Sequence, residues 1–254
     1  MDEVAARFGL GTVADNPVRV TGGLSNEVWR VVTDTGAFAV KRMVLNADRP
    51  DFVGNVEASY AVERRAWQAG VRMPEPVPDP DTGRALATVD GSLFRVHRWL
   101  DGQPRAGTAT DAADLLATIH AAGAPRRAHG MLVVDSHRDL DRKNALLRAD
   151  GTLAALDWDA AGPIGAVHEA AALALDWSAN DPGTFATAID RYQDRSGLTV
   201  PAEPWIFDGW IAAQRGWLDH HRGENGDPEQ VRLTLAHLQG LDDNRDDLLA
   251  AIGA

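Results

Sequence analysis

The chain has 254 residues, of which 44% are hydrophobic and 24% charged, enough for one large core or two modest ones. Its formal net charge of −12 argues against a nucleic-acid partner, because phosphate backbones select basic surfaces. The absence of cysteine excludes disulfides and cysteine-based metal or redox sites; no apolar run approaches a membrane span, no secretory signal is visible, and the cytoplasm is the expected compartment.

After a short N-terminal helix, residues 28–33 and 37–43 alternate as strands around the turn Asp34-Thr35-Gly36. A helix is expected over 52–69, and Pro74, Pro76, Pro78 and Pro80 mark an extended connection. Residues 84–89 and 93–98 form a second hairpin about Asp90-Gly91. The turn-rich stretch 99–104 reads as a linker. Beyond it the pattern is mostly helical, with Ala112, Leu115, Leu116 and Ile119 on one face of a helix ending near Gly123. A short hairpin, 145–148 and 153–156, turns at Asp150-Gly151. Four helices then fill 165–180, 182–196, 202–222 and 228–252, the last broken near Gly240. The organisation is α+β: a β-rich part over 1–98, a linker over 99–104 and a helical part over 105–254. From Ala160 onward, 15 acidic residues stand against six Arg and no Lys. This is either a solvated acidic surface or a pocket for a cation.

The chemistry-bearing stretch is His137-Arg138-Asp139-Leu140-Asp141-Arg142-Lys143-Asn144, followed by Asp157. It has the H-R-D-L-x-x-x-N pattern and downstream acid of a kinase catalytic loop. Phosphoryl transfer needs a carboxylate to take the proton of an attacking hydroxyl, a role open to Asp139. It also needs oxygen ligands for a magnesium ion on the nucleotide phosphates, which Asn144 and Asp157 can supply. The chain has 23 Arg and only two Lys, and both lysines fall in such motifs. Lys41 ends Ala37-Phe38-Ala39-Val40-Lys41, like the V-A-I-K strand that places a compact charge on the phosphates. Lys143 either contacts the moving phosphate or is solvated.

With Thr21-Gly22-Gly23-Leu24-Ser25-Asn26-Glu27-Val28-Trp29 and Leu156-Asp157-Trp158-Asp159 added, the chain resembles the aminoglycoside phosphotransferase and choline-kinase-like family. The resemblance covers essentially the whole chain in order. It implies a protein-kinase-like bilobal fold: a small antiparallel sheet with one helix, then a mostly helical lobe with the catalytic loop and acceptor site. It implies ATP and magnesium as cofactors, with GTP left open. Gly22, Gly23, Ser25 and Asn26 would form the nucleotide loop, and Glu63 would pair with Lys41, with Glu57 as the alternative. The implied activity is transfer of the γ-phosphate to a hydroxyl of a small molecule. That molecule is an aminoglycoside-type antibiotic, or a metabolic amino alcohol, sugar or nucleoside; a catalytically silent binding protein is the rival. Two departures stand out. The family loop is H-G-D-x-H-P-x-N, whereas this one has Arg138 and no second His. Only 36 residues separate Leu100 from His137, where many relatives insert helices around the acceptor.

Overall fold

The computed structural model describes residues 1–20, 26–128, 130–221 and 227–253. Helix α1 (Asp2–Arg7) is followed by β1 (Val18–Val20), β2 (Asn26–Thr33) and β3 (Gly36–Met43). β2 and β3 pair in full, from Asn26 opposite Met43 to Thr33 opposite Gly36. The turn needs glycine, because Gly36 adopts a φ of 143°. Helix α2 (Phe52–Gln68) comes next, then β4 (Pro76–Val77), β5 (Ala87–Val89) and β6 (Ser92–Arg98). The sheet runs β1-β2-β3-β6-β4, with β5 also on β6. Pro76 is tolerated because β4 is an edge strand.

Strand periodicity sorts the sheet's side chains. Phe38, Val40, Phe94 and Val96 pack with Val4 and Ala5 of α1, and with Phe8 just after it, in one core. Lys41 stands directly opposite Arg95 in the β3–β6 ladder, so both side chains take the other face, as does His97. That is the face α2 covers.

The stretch after β6 is tied down at both ends. Trp99 N–H donates to the Ala37 carbonyl at 2.9 Å, and Arg105 N–H donates to the Ala145 carbonyl at 3.0 Å. Between them lies a two-residue strand, β7 (Gln103–Pro104). Helix α3 (Ala109–Ala122) starts on a capping box, in which Thr108 accepts from Asp111 N–H and Asp111 accepts from Thr108 N–H.

The rest is less purely helical than its pattern suggests. β8 (Arg126–Ala128), β9 (Met131–Ser136), β10 (Ala145–Leu147), β11 (Leu153–Ala155) and β12 (Gly162–Gly165) form two small sheets, ordered β12-β9-β8 and β11-β10-β7. Four helices follow: α4 (Ala166–Ser178), α5 (Pro182–Ser196), α6 (Asp208–His221) and α7 (Pro228–Ala251). Their core holds Leu116, Ile119, Leu173, Trp177, Phe185, Ile189, Leu241 and Leu248. The helix expected over 202–222 begins instead as a 3₁₀ turn, Pro204–Phe207. The expected break at Gly240 is absent, and α7 runs through it. Glycine is there for contact, since a Cβ would sit 2.7 Å from Asn180 Nδ2. Among the described residues, no helix is long and apolar enough to cross a membrane.

Candidate active site

The loop from His137 to Asn144 joins β9 to β10 and is fixed mainly by buried polar groups. The His137 ring is fully buried, with Nε2 donating to the Leu156 carbonyl at 2.7 Å and Nδ1 accepting from Asp139 N–H at 3.3 Å. One donor and one acceptor describe a neutral imidazole. Its ring meets Trp158 edge-on, with centroids 4.8 Å apart. His137 is therefore a packing residue that ties the loop to the Asp157 segment.

Arg138 takes a left-handed backbone, with φ of 68°. Its N–H donates to Glu169 Oε1 at 2.6 Å, while His120 Nε2 meets the other Glu169 oxygen at 2.8 Å. The Tyr192 hydroxyl is 2.7 Å from His120 Nδ1. Burial alone would raise the Glu169 carboxyl, but His120 and the Arg138 N–H hold it below its ordinary value. α4 holds the loop again at Trp177. Its indole N–H donates to the Leu140 carbonyl at 3.0 Å, and its own carbonyl accepts from Arg142 at 2.8 Å.

These anchors set Asp139. Asn144 Nδ2 donates to the Asp139 carboxylate and to the Asp139 carbonyl, each at 2.8 Å. Lys143 Nζ lies 3.5 Å from Asp139 Oδ2 and 2.8 Å from Asp141 Oδ2. Asp141 also caps the 3₁₀ turn Arg142–Asn144 by accepting from two of its N–H groups. Burial pushes the Asp139 carboxyl above its ordinary value, and the Lys143 charge works against that rise.

Asp157 reaches the same place from the other strand of a hairpin. Ala145 faces Ala155, and Leu156 N–H donates to the Asn144 carbonyl at 2.8 Å. Asp157 is left-handed at φ of 58°, a conformation that non-glycine residues adopt chiefly where surroundings impose it. The set suits magnesium. Asn144 spends its NH₂ on Asp139, which leaves its amide oxygen for a cation, and the Asp157 carboxylate is open to solvent. Among the described residues, no cluster of three or more His, Asp or Glu is built to hold a metal. A cation here would draw on Asn144, Asp157 and phosphate oxygens together, the usual magnesium pattern.

Lys41 departs from expectation. Its ammonium donates to Asp157 Oδ1 at 2.7 Å and Asp159 Oδ2 at 2.6 Å, and to neither candidate glutamate. Burial would lower its pKa, but the Asp159 and Asp157 charges raise it. Glu63 instead binds Arg95 and His97, and Glu57 accepts from the N–H groups of Ala85 and Leu86. The reason is register: Arg95 lies beside Lys41 on the next strand and takes Glu63 first. Glu63 is wholly buried, so it is not a nucleotide contact. Asn26, at the start of β2, accepts from Val44 N–H at 3.0 Å and its Nδ2 lies 3.4 Å from Asp159 Oδ2. Gly22, Gly23 and Ser25 lie outside the described residues.

Four contributors were not singled out from sequence. Arg95 and His97 carried a signal, since both fall on the inward beat of β6 beside Lys41. Glu169 had none, because one acid in an apolar helix looks like any exposed polar position. Asp176, also on α4, sits beside the loop. Solvent reaches it, yet protein crowds it enough that burial pushes its carboxyl up to about 7, with Asp141 and Asp139 adding to the rise and the Trp210 indole, 3.3 Å away, opposing it.

A lysine on the third strand of an antiparallel sheet, an Asp–Asn loop and an acid on the following hairpin are arranged as in a protein-kinase-like fold. The model of the phosphotransferase enzyme family matches residues 18–134, just under half of the chain. Solved structures match the fold over nearly the whole chain. An aminoglycoside phosphotransferase from Alicyclobacillus acidocaldarius is 14% identical, with a TM-score of 0.64 over 94% of this chain and 91% of its own. A spectinomycin phosphotransferase in complex with ADP and spectinomycin is 9% identical, with a TM-score of 0.65 over 98% and 95%. Choline kinase LicA from Streptococcus pneumoniae is 15% identical, with a TM-score of 0.67 over 94% and 98%. No curated protein matches the sequence. The likeness to aminoglycoside phosphotransferases and choline kinase is thus borne out, and the fold is protein-kinase-like.

Proposed function

We propose that the protein is an ATP- and magnesium-dependent kinase that works in the cytoplasm and phosphorylates a hydroxyl of a small, amine-bearing molecule. The observation that carries this reading is the clamp of Asn144 on Asp139. It orients a carboxylate with a raised pKa and frees an amide oxygen beside Asp157. Asp139 takes the proton as the acceptor hydroxyl attacks the γ-phosphorus. Lys41 holds phosphate oxygens, and Lys143, 3.5 Å from Asp139, offers a second cation to the phosphoryl group. Asn144 and Asp157 would hold magnesium, which when bound offsets the phosphate charge. The residues after Asp157 supply the acceptor side.

The amine follows from charge. Asp176 and Asp141 stand next to Asp139, and the chain beyond Ala160 has 15 acidic residues against six Arg. Choline is a quaternary ammonium alcohol, and aminoglycosides are polyamines, so the enzymes with this fold named above support such an acceptor. Both an antibiotic and a metabolic amino alcohol fit it.

The test is ADP release from magnesium–ATP over a panel of aminoglycosides, amino alcohols, nucleosides and neutral sugars, at low and high salt. An amine-bearing acceptor is expected, with a KM that climbs with salt because exposed charges are screened over about 8 Å at physiological ionic strength. A neutral or anionic acceptor, or a KM flat with salt, removes the cationic part. Absence of any turnover, and of a magnesium-dependent thermal shift with ATP, favours the silent binding protein.

A further inference from the structure

We infer that Asp159, rather than a glutamate of α2, is the residue that positions Lys41, and that α2 acts on Lys41 only through Asp159. The meaning of this for phosphate binding rests on the kinase reading above; the contacts themselves do not.

The Asp159 carboxylate divides its two oxygens between two cations, with Oδ2 accepting from Lys41 at 2.6 Å and Oδ1 from Arg95 at 2.5 Å. Glu63 is also fully committed, one oxygen to Arg95 and the other to His97 at 2.9 Å. With its side chain 1% exposed, Glu63 has neither a free oxygen nor an open path toward Lys41. Arg95 therefore bridges two acids, and the chain of contacts runs Glu63, Arg95, Asp159, Lys41.

α2 grips Asp159 a second time. The Ser59 hydroxyl donates to the Asp159 carbonyl at 2.9 Å. Ser59 and Glu63 are four residues apart and so share a helix face. One holds the Asp159 main chain and the other, through Arg95, its carboxylate. The preceding Trp158 is 1% exposed and anchors the 3₁₀ turn that carries Asp159.

The two acids on Lys41 are unequal. The Asp157 side chain is 46% exposed, whereas that of Asp159 is 25% exposed and is clamped by α2 and Arg95. A cation that claims Asp157 leaves Lys41 held by Asp159. An ammonium has three protons. With one on Asp159, the others are free for phosphate oxygens, so Lys41 stays aimed while its second partner changes.

The test exploits the composition. With only Lys41 and Lys143 in the chain, a proton–nitrogen spectrum of the lysine ammonium groups has two signals, read on the nucleotide-free protein. Lys143 is half-exposed and serves as the internal reference. Asp159→Asn should speed solvent exchange of the Lys41 ammonium by about tenfold or more, the loss of one hydrogen bond between charged groups. Glu63→Gln should leave it within about twofold, since it removes no bond to the Lys41 ammonium; Asp157→Asn removes a charged bond from a more exposed side chain and should speed exchange less than Asp159→Asn does. If Glu63→Gln speeds exchange as much as Asp159→Asn does, or Asp159→Asn leaves it unchanged, the assignment is overturned. Should Asp159→Asn fail to fold, Glu63→Gln decides alone: a change of about tenfold needs a direct bond to Lys41, whereas an effect relayed through Arg95 and Asp159 stays within about twofold. A native protein that transfers no phosphate would end the kinase reading and leave the Lys41–Asp159 result standing.

Discussion

Removing Glu169 should unfasten the catalytic loop from α4. In Glu169→Ala the Arg138 N–H and the His120 Nε2–H, bound at 2.6 Å and 2.8 Å, both lose their acceptor inside the protein. Each buried donor left unpaired costs about 1–3 kcal/mol, so the loss should be about 2–6 kcal/mol. For a chain of this size that lowers the melting point by on the order of 10 °C. Arg138 should relax from its left-handed conformation, which costs about 1–3 kcal/mol to hold, and carry Asp139 with it. A shift near 1 Å at a reacting group costs about 100-fold, so kcat should fall more than the KM for ATP rises. The native Glu169 carboxyl lies below its ordinary value, so the stability it gives is present at neutral pH and lost as pH falls through that lowered range. The gap between variant and native should therefore narrow in acid. Urea unfolding followed by tryptophan fluorescence, with turnover at saturating ATP, measures both effects. A variant within about 1 kcal/mol of native, or one destabilised as expected but with native kcat, would refute the claim that Glu169 holds the loop.

Asp139→Asn should fold and bind ATP normally but turn over about 10²–10⁴-fold more slowly, because the amide keeps the Asn144 contact and cannot take a proton; near-native turnover would remove Asp139 from its role. Asp157→Ala should abolish the magnesium dependence of nucleotide affinity, and Asn144→Ala should weaken it less, since a carboxylate holds a hard cation better than an amide. Calorimetric titration at several magnesium concentrations separates them, and unchanged dependence in both would place the metal elsewhere. Asp176 holds its proton to about pH 7 in the fold against an ordinary 3.8, so native stability should decline as pH rises between those values. Asp176→Asn should lack that decline and melt higher than native at pH 8, though not at pH 4; equal melting points at pH 8 would deny the crowding of Asp176.

Much of the fold was legible because it follows local periodicity. The β2–β3 hairpin, α2, α4 and α5 lie within a residue or two of their expected ends, and Lys41 falls where its motif puts it. The small sheets were not legible. β12 is Gly162-Pro163-Ile164-Gly165, four residues with little intrinsic strand preference, and it exists because β9 offers it a ladder. The same distinction governs the site. The loop residues are consecutive, and one turn brings them together. The partner of Lys41 depends on which of several acids reaches it across three elements, and spacing along α2 says nothing of an arginine on β6. The family match ends at residue 134, just before the loop in which Arg138 replaces the family's glycine.

The ties on either side of β7 have a mechanical consequence. Trp99 is laced to the first sheet through Ala37, and Gln103 and Pro104 are laced to β10. Slack between them amounts to Leu100, Asp101 and Gly102. Asp101 is itself tethered to the Trp99 indole at 2.8 Å, and Gly102 approaches the Leu147 carbonyl so closely that a Cβ would meet it at 2.6 Å. Any rocking of the sheet against the helices would be borne by the torsions of this short strap, and lengthening it by a few flexible residues would trade a guided swing for a loose one.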